Sequence, residues 1–436
     1  MRRPWTLLAI AVAMALLLPT LARATGYAIY EQGAAALGMA GASTASVKDA
    51  SAVFFNPAAL ARLEGTRFYV GGSALAPITS VTGVGTADGA RPEYGVTEEM
   101  VKQVFFPPTI YATHRLMKGL GFGIGVNSPY GLGVEWDADE FSGRYIATKV
   151  DLQTLNGSAC LAWAPNDQWS FAGGADAMFA KVLLNKRTLY SNPMLGISDL
   201  DIIETEMTSD FVPGYGWNAA VLYTPAAQWR LGAFYRSKVV VHVDDAEADF
   251  TQILTGITAV DAYVTSILPP DQPGSTVLRF PALWSAGVAF DPEPDWTVEA
   301  DFLWYEWSVF TDLPINLETT PTLSSTRVED YEDSWQVRVG AEHRRGDLAY
   351  RVGYYFDKSP APGYAVSPLL PDADRIGVSL GVGWAFGPEK NWTLDAYGLG
   401  LFLNRRCGFT EDPYDDFQGD YETFTGMFGL GLGYRF

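Results

Sequence analysis

The last thirteen residues constrain the fold more than any other stretch. Phe424, Phe428, Leu430, Leu432, Tyr434 and Phe436 fall on one face of a period-two pattern; Thr425, Met427, Gly429, Gly431, Gly433 and Arg435 fall on the other. Such alternation is a strand's. One face is greasy and aromatic and the other small and polar, which suits a wall with lipid outside and a polar lumen within. A terminal Phe on this strand predicts recognition by the barrel assembly machinery of an outer membrane.

The rest of the chain has to agree with a barrel, and it does. Arg2 and Arg3, the apolar run Leu7 to Leu18 and the small-x-small site Ala22-Arg23-Ala24 predict a secretory signal peptide over residues 1–24. That run is too short for a membrane-spanning helix, which takes about 20 apolar residues. No later stretch is long enough either, although 48% of residues are hydrophobic and 14% aromatic. In lipid, only helices and closed barrels satisfy every backbone group.

Pro-bearing turns flanked by aromatics recur. Trp163 and Trp169 bracket Ala164-Pro165-Asn166-Asp167, and Tyr223 and Trp229 bracket Thr224-Pro225-Ala226-Ala227. Phe290 and Trp296 bracket Asp291-Pro292-Glu293-Pro294-Asp295, and Phe386 and Trp392 bracket Gly387-Pro388-Glu389-Lys390-Asn391. Each Trp then opens an alternating strand. Core Trp residues of a soluble sandwich are the plain alternative; four identical placements favour an aromatic girdle at one membrane interface. With the turns near Lys118 and Arg345 there are six short turns, and seven longer polar connections lie near 78–100, 128–143, 186–204, 245–275, 312–324, 359–372 and 405–420. Six and seven join fourteen strands, so the chain is predicted to be all-β: a 14-stranded antiparallel transmembrane β-barrel over 66–436, with strands such as 101–115, 119–128, 205–223 and 325–342.

Residues 25–65 do not alternate. They hold Gly33, Gly38 and Gly41, then Asn56-Pro57-Ala58. A unit this small is marginal alone, so it is read as an N-terminal plug, or hatch, folded inside the lumen. Its glycines do not make a phosphate loop, since no G-x-x-x-x-G-K-[ST] is present.

Here the chain resembles the FadL/TodX (OmpP1) family of outer-membrane transporters of long-chain fatty acids and other hydrophobic compounds. The resemblance rests on Gly33…Gly38…Gly41, Asn56-Pro57-Ala58, Ser128-Pro129-Tyr130-Gly131-Leu132, Gly143-Arg144-Tyr145, Pro281-Ala282-Leu283-Trp284, Asp333-Ser334-Trp335 and Leu370-Pro371-Asp372-Ala373-Asp374-Arg375, in that order along the chain. It implies a fourteen-stranded barrel with a hatch, a monomer in the Gram-negative outer membrane in contact with outer-membrane lipid, and passive uptake of a fatty acid-like hydrophobic small molecule. It implies capture by extracellular loops three and four, hatch movement, and lateral release through a kinked third strand. The kink is assigned to Gly123, Gly125, Asn127, Pro129 and Gly131, because glycines weaken a strand and proline cannot extend its ladder.

The third loop carries Leu195, Ile197, Ile202 and Ile203, and the fourth carries Phe250, Ile253, Leu254, Ile257, Val260, Tyr263, Val264, Ile267 and Leu268, spaced as on an amphipathic helix. Phe250, Ile253, Ile257 and Tyr27 are candidate substrate contacts; helices packing on one another over the barrel mouth are the plain alternative. Alternation turns Asp176, Arg230, Arg236, Glu299, Asp301, Arg338, Glu342, Arg351 and Asp395 to the lumen, where buried charges should pair and hold the plug. Arg338 and Arg351 are candidates for a substrate carboxylate, which Arg binds bidentately.

Other classes fare worse. Removing the leader's three Arg leaves 27 basic against 50 acidic residues, a net charge of −23, against a nucleic-acid partner. His114, His242 and His343 are scattered, so no metal site or cofactor is predicted. Without G-x-S-x-G an outer-membrane lipase is disfavoured; a plug and apolar loops disfavour a water-filled porin. Uptake of aromatic hydrocarbons or other apolar compounds is the close alternative to fatty acids. Cys160 and Cys407 fall near opposite ends of the barrel, beyond the roughly 7 Å a disulfide allows, and are expected to be free.

Overall fold

The computed structural model describes residues 26–86, 89–409 and 417–436; the expected leader, 1–24, lies outside them. Fourteen antiparallel strands close into a barrel. They are β1 (Thr66–Gly83), β2 (Pro108–Met117), β3 (Leu120–Asn127, resuming as Gly131–Glu135), β4 (Lys149–Trp163) and β5 (Trp169–Asn192). Next come β6 (Ile197–Thr208 and Val212–Ala226), β7 (Trp229–Arg236 and Val239–Gln252), β8 (Gln272–Phe280 and Leu283–Phe290), β9 (Trp296–Tyr305) and β10 (Ser334–Arg345). The last are β11 (Leu348–Asp357), β12 (Arg375–Phe386), β13 (Trp392–Leu403) and β14 (Gln418–Arg435). Each pairs with the next. β14 closes on β1 in unbroken register from Arg67↔Arg435 to Gly83↔Gly419.

Several expected boundaries move, for local reasons. The stretch 186–204 is no loop: β5 runs to Asn192, turns through Pro193–Leu195 and returns as β6. β2 starts at Pro108 and not near 101, because Pro107-Pro108 cannot donate to a ladder. Residues 325–328 belong to a separate small hairpin with Asp312–Leu317, so β10 begins only at Ser334.

Outward rings form the expected belt on the short-turn side. Trp169 meets Tyr223 at 4.2 Å, Trp229 meets Phe290 at 4.4 Å, and Trp392 meets Tyr434 at 4.4 Å between centroids. Phe436 packs edge-on against Phe68 of β1 at 5.7 Å, across the closing seam. A second row crosses the wall further up: Trp217–Tyr235 at 4.9 Å, Tyr235–Trp284 at 4.4 Å and Trp335–Phe356 at 5.2 Å.

Residues 26–63 fill the lumen. They form two short helices, α1 (Ala34–Gly38) and α2 (Ala52–Phe55), and a 3-10 turn, Pro57–Arg62. Val53, Phe54, Phe55, Ala58 and Leu60 are wholly buried against the wall. Both cysteines are free, Cys160 buried and Cys407 exposed.

Candidate functional site

The wall holds the plug by its backbone. Asp301 accepts from the amides of Ser43 (2.9 Å) and Thr44 (3.0 Å), and Glu299 accepts from Ala45 (2.5 Å). Arg338 donates to the carbonyl of Ala40 (2.6 Å), and Arg236 to that of Phe54 (3.4 Å). Lumen-facing charges therefore satisfy plug groups that would otherwise be orphaned. Alternation placed these residues correctly; their partners on the plug needed the fold.

The predicted plug residues lie together in this core. Asn56 caps the 3-10 turn by accepting from Ala58 (3.0 Å), and donates to Thr44 (2.7 Å) and to Val221 of β6 (3.3 Å). Pro57 begins the turn, where a missing N–H costs nothing. Gly41 has φ 80°, a left-handed value that favours glycine. A β-carbon at Gly38 would press on Arg351 and on Gly381 of β12, each about 3 Å away, and one at Gly33 on Phe55 and Ser51 at 3.2 Å.

The kink needs a correction. Gly123 and Gly125 lie in an unbroken part of β3, laddered on both sides to β2 and β4. They permit contact: Val53 and Leu60 of the plug pack on Gly123, and the Tyr111 ring of β2 on Gly125. The break comes after Asn127, at Ser128-Pro129-Tyr130, and β3 resumes at Gly131 one residue out of register with β4.

The β2–β3 seam is open there. Its ladder runs from Met117↔Leu120 to Ile110↔Val126. Among the described residues the next backbone bond is Val101 N–H to Glu135 O at 2.7 Å. Phe105 exchanges both backbone bonds with Leu75 of β1. By alternation, position 108 should donate towards β3, and the register extends it to Ser128. Pro108 has no N–H, and Ser128's carbonyl accepts instead from the Gln32 side chain at 2.7 Å. Ile29 donates to Pro129 O (2.8 Å) and Gly131 to Tyr27 O (3.0 Å). The plug's first residues thus take over groups the missing ladder left free.

Behind this seam lies a cavity of about 500 Å³. It reaches from Val104 and Phe106, exposed on the barrel exterior, past Phe105, Tyr130 and Leu132 to Tyr27, Tyr30 and Arg338 within. Tyr27 stands among aromatics: Trp307 at 4.7 Å, Phe310 at 5.6 Å, Tyr130 and Phe280 at 6.2 Å. At the polar end Arg338 is sandwiched between the rings of Tyr30 (4.5 Å) and Tyr355 (4.3 Å), and donates to Gln336 (2.8 Å). Among the described residues no carboxylate lies within ion-pair distance of it. Burial raises the Glu31 carboxyl beside it, against the pull of Arg338 and Arg375.

Arg351 differs. It bridges Glu342 (2.7 Å) and Asp395 (2.6 Å) and faces a separate chamber of about 300 Å³ beside Lys48 and Asp49. Its charge is met twice over, so the structure does not bring it to the Arg338 end. Nor does it bring Phe250, Ile253 or Ile257 there. Phe250 packs with Ile202, Ile203, Val260, Val264 and Leu317 in an outer cluster of its own. The expected helix does form as α3 (Thr258–Ile267), carrying Val260, Tyr263, Val264 and Ile267, but it starts after Phe250, Ile253 and Ile257, so the helical spacing misled only for these three. Sequence reasoning missed Gln32, Phe105, Gln336 and the Pro107-Pro108 pair; only the last had a signal, two prolines inside an expected strand.

A closed fourteen-strand barrel with aromatic belts, a wall-held plug and a wall cavity defines an outer-membrane transport barrel. The chain belongs to the outer membrane protein transport protein family (OMPP1/FadL/TodX), whose model matches residues 15–436. It is 26% identical over 447 residues to the long-chain fatty acid transport protein of Escherichia coli O6:H1, covering 98% of each chain. Its fold matches a Pseudomonas aeruginosa FadL homologue with a TM-score of 0.80 at 20% identity, over 94% of this chain and 100% of that one. It matches the Pseudomonas putida toluene transporter TodX with a TM-score of 0.69 at 16% identity, over 94% and 99%.

Proposed function

We propose that this chain is a passive outer-membrane channel for long-chain fatty acids, which bind with the carboxylate at Arg338 and leave sideways between β2 and β3. The observation that carries the reading is the cavity itself. One continuous, mainly apolar space joins a buried Arg that has no ion-paired carboxylate among the described residues to exterior residues at an interrupted seam. An amphiphile with one charged end and a long tail fits such a space. The relatives named for fatty acid and toluene transport support a transporter and not a lipase.

Aromatic hydrocarbons are the second reading, favoured by the rings around Tyr27. Arg338→Met separates the two. It removes a charge-assisted bond worth about 1.5–3 kcal/mol, so fatty acid binding should weaken about tenfold or more, with toluene binding little changed. Equal loss of both, measured by calorimetry on purified protein, would show that Arg338 acts only through the plug.

A further inference from the structure

We infer that the Phe105 side chain is the leaf that closes the β2–β3 window, and that its bulk sets which cargo passes. This rests on the lateral-exit reading above. Phe105's backbone is pinned to β1 by both bonds to Leu75, each 2.9 Å. Its ring crosses the unladdered gap and lies on the backbone of Gly133, so closely that a β-carbon there would collide with it. Gly133 in turn is paired through β3 to Asp151 of β4. The ring therefore spans from the β1 side of the window to the β4 side, where no backbone bond does. Pro107 and Pro108 follow it directly, so position 108 offers no donor to close the gap.

The arrangement separates wall from door. Turning the ring needs side-chain torsions alone and breaks no ladder bond. Its displaced positions lie against an apolar cavity or lipid chains, both as apolar as the ring's present surroundings, so opening carries little hydrophobic penalty. Gly133 is the strike plate: any side chain there would hold the ring ajar.

The test is uptake of a fatty acid series of increasing girth, from a linear chain to a pyrene-labelled one, in cells carrying the full chain. Heat-modifiable migration verifies the barrel. Phe105→Ala should raise entry of the pyrene-labelled acid about tenfold, the scale at which a pocket's size discriminates. Phe105→Leu should lie between, and Gly133→Ala should resemble Phe105→Ala. Fatty acid affinity of the purified protein should change far less than entry does, because Phe105 lines only the outer end of the cavity. An unchanged girth dependence in Phe105→Ala and Phe105→Leu overturns the leaf. A Pro108→Thr/Pro129→Thr variant tells the two readings apart. If it blocks uptake while the Phe105 variants do nothing, lateral exit stands and the leaf falls; if it transports normally, both fall.

Discussion

Two seams of the same barrel behave oppositely. Between β14 and β1 the ladder runs from Arg67↔Arg435 to Gly83↔Gly419 without a gap. Between β2 and β3 it stops at Ile110↔Val126. Both seams are antiparallel, share β1 or its neighbour and face lipid. What differs is proline: Pro107, Pro108 and Pro129 flank one gap, whereas the β1–β14 ladder crosses its single proline, Pro77↔Thr425, without a break. A membrane wall tolerates an interruption only where the freed backbone is buried in protein and satisfied. Gln32, Ile29 and Tyr27 of the plug supply that satisfaction, and nothing comparable is needed at the closing seam. The plug is thus part of the wall where the wall is weakest.

The contrast can be broken by giving the weak seam its donor back. Pro108→Thr returns the donor that points across this seam and Pro129→Thr removes the second proline beside the gap, so the 108/128 pair can form up to two ladder bonds at roughly 0.5–1.5 kcal/mol each. Fatty acid uptake should fall about tenfold, while hydrogen exchange of the β1–β14 amides stays as it was. Faster uptake would show that the prolines hold the seam together.

A smaller effect is expected from loosening the plug. Asn56→Ala removes a cap and leaves the Thr44 carbonyl without its donor. Plug amides 58–62 should lose about 1–2 kcal/mol of exchange protection, with the closing seam unaffected. Loss of protection at that seam too would mean that plug and barrel unfold as one unit.

The smallest effect is one of pH. Glu329 is fully buried in the extracellular connection between β9 and β10, and burial pushes its carboxyl up to about 7 despite Arg327. The folded loop then binds more protons than the unfolded one between about 4.5 and about 7. Its stability should fall as pH rises through that window. Trp307 of the same connection touches Tyr27, so loosening the loop slackens the plug's grip on Gly131. Limited proteolysis between 306 and 333 should quicken from pH 5 to pH 7.5, and Glu329→Gln should abolish the trend. A trend that survives in Glu329→Gln assigns it to another group.

Much of this was legible beforehand, for reasons that lie in the chain. Strand number followed from the turns, because a Pro-bearing turn between two interface aromatics is a local signal. The inward charges Asp301, Glu299 and Arg338 followed from period two, which a strand obeys wherever it is paired. The loops failed where periodicity competes with context. Phe250, Ile253 and Ile257 have helical spacing, yet Phe250 is in β7, because pairing with the extended β6 hairpin overrides local preference.

The sequence by itself determined the barrel, its fourteen strands, the plug and the polarity of each face, since those follow from alternation and turn chemistry within a few residues. Only the tertiary structure decided which of two lumen arginines is available. Arg338 and Arg351 stand on neighbouring strands with the same inward pattern, but carboxylates from β10 and β13 converge on Arg351 and, among the described residues, none pairs with Arg338. It likewise decided that glycines at 123 and 125 seat the plug and that the gap lies at Pro108 and Ser128. The physical reason is the same in each case: whether a charge is met or a carbonyl is satisfied depends on partners from distant strands, which no local pattern encodes.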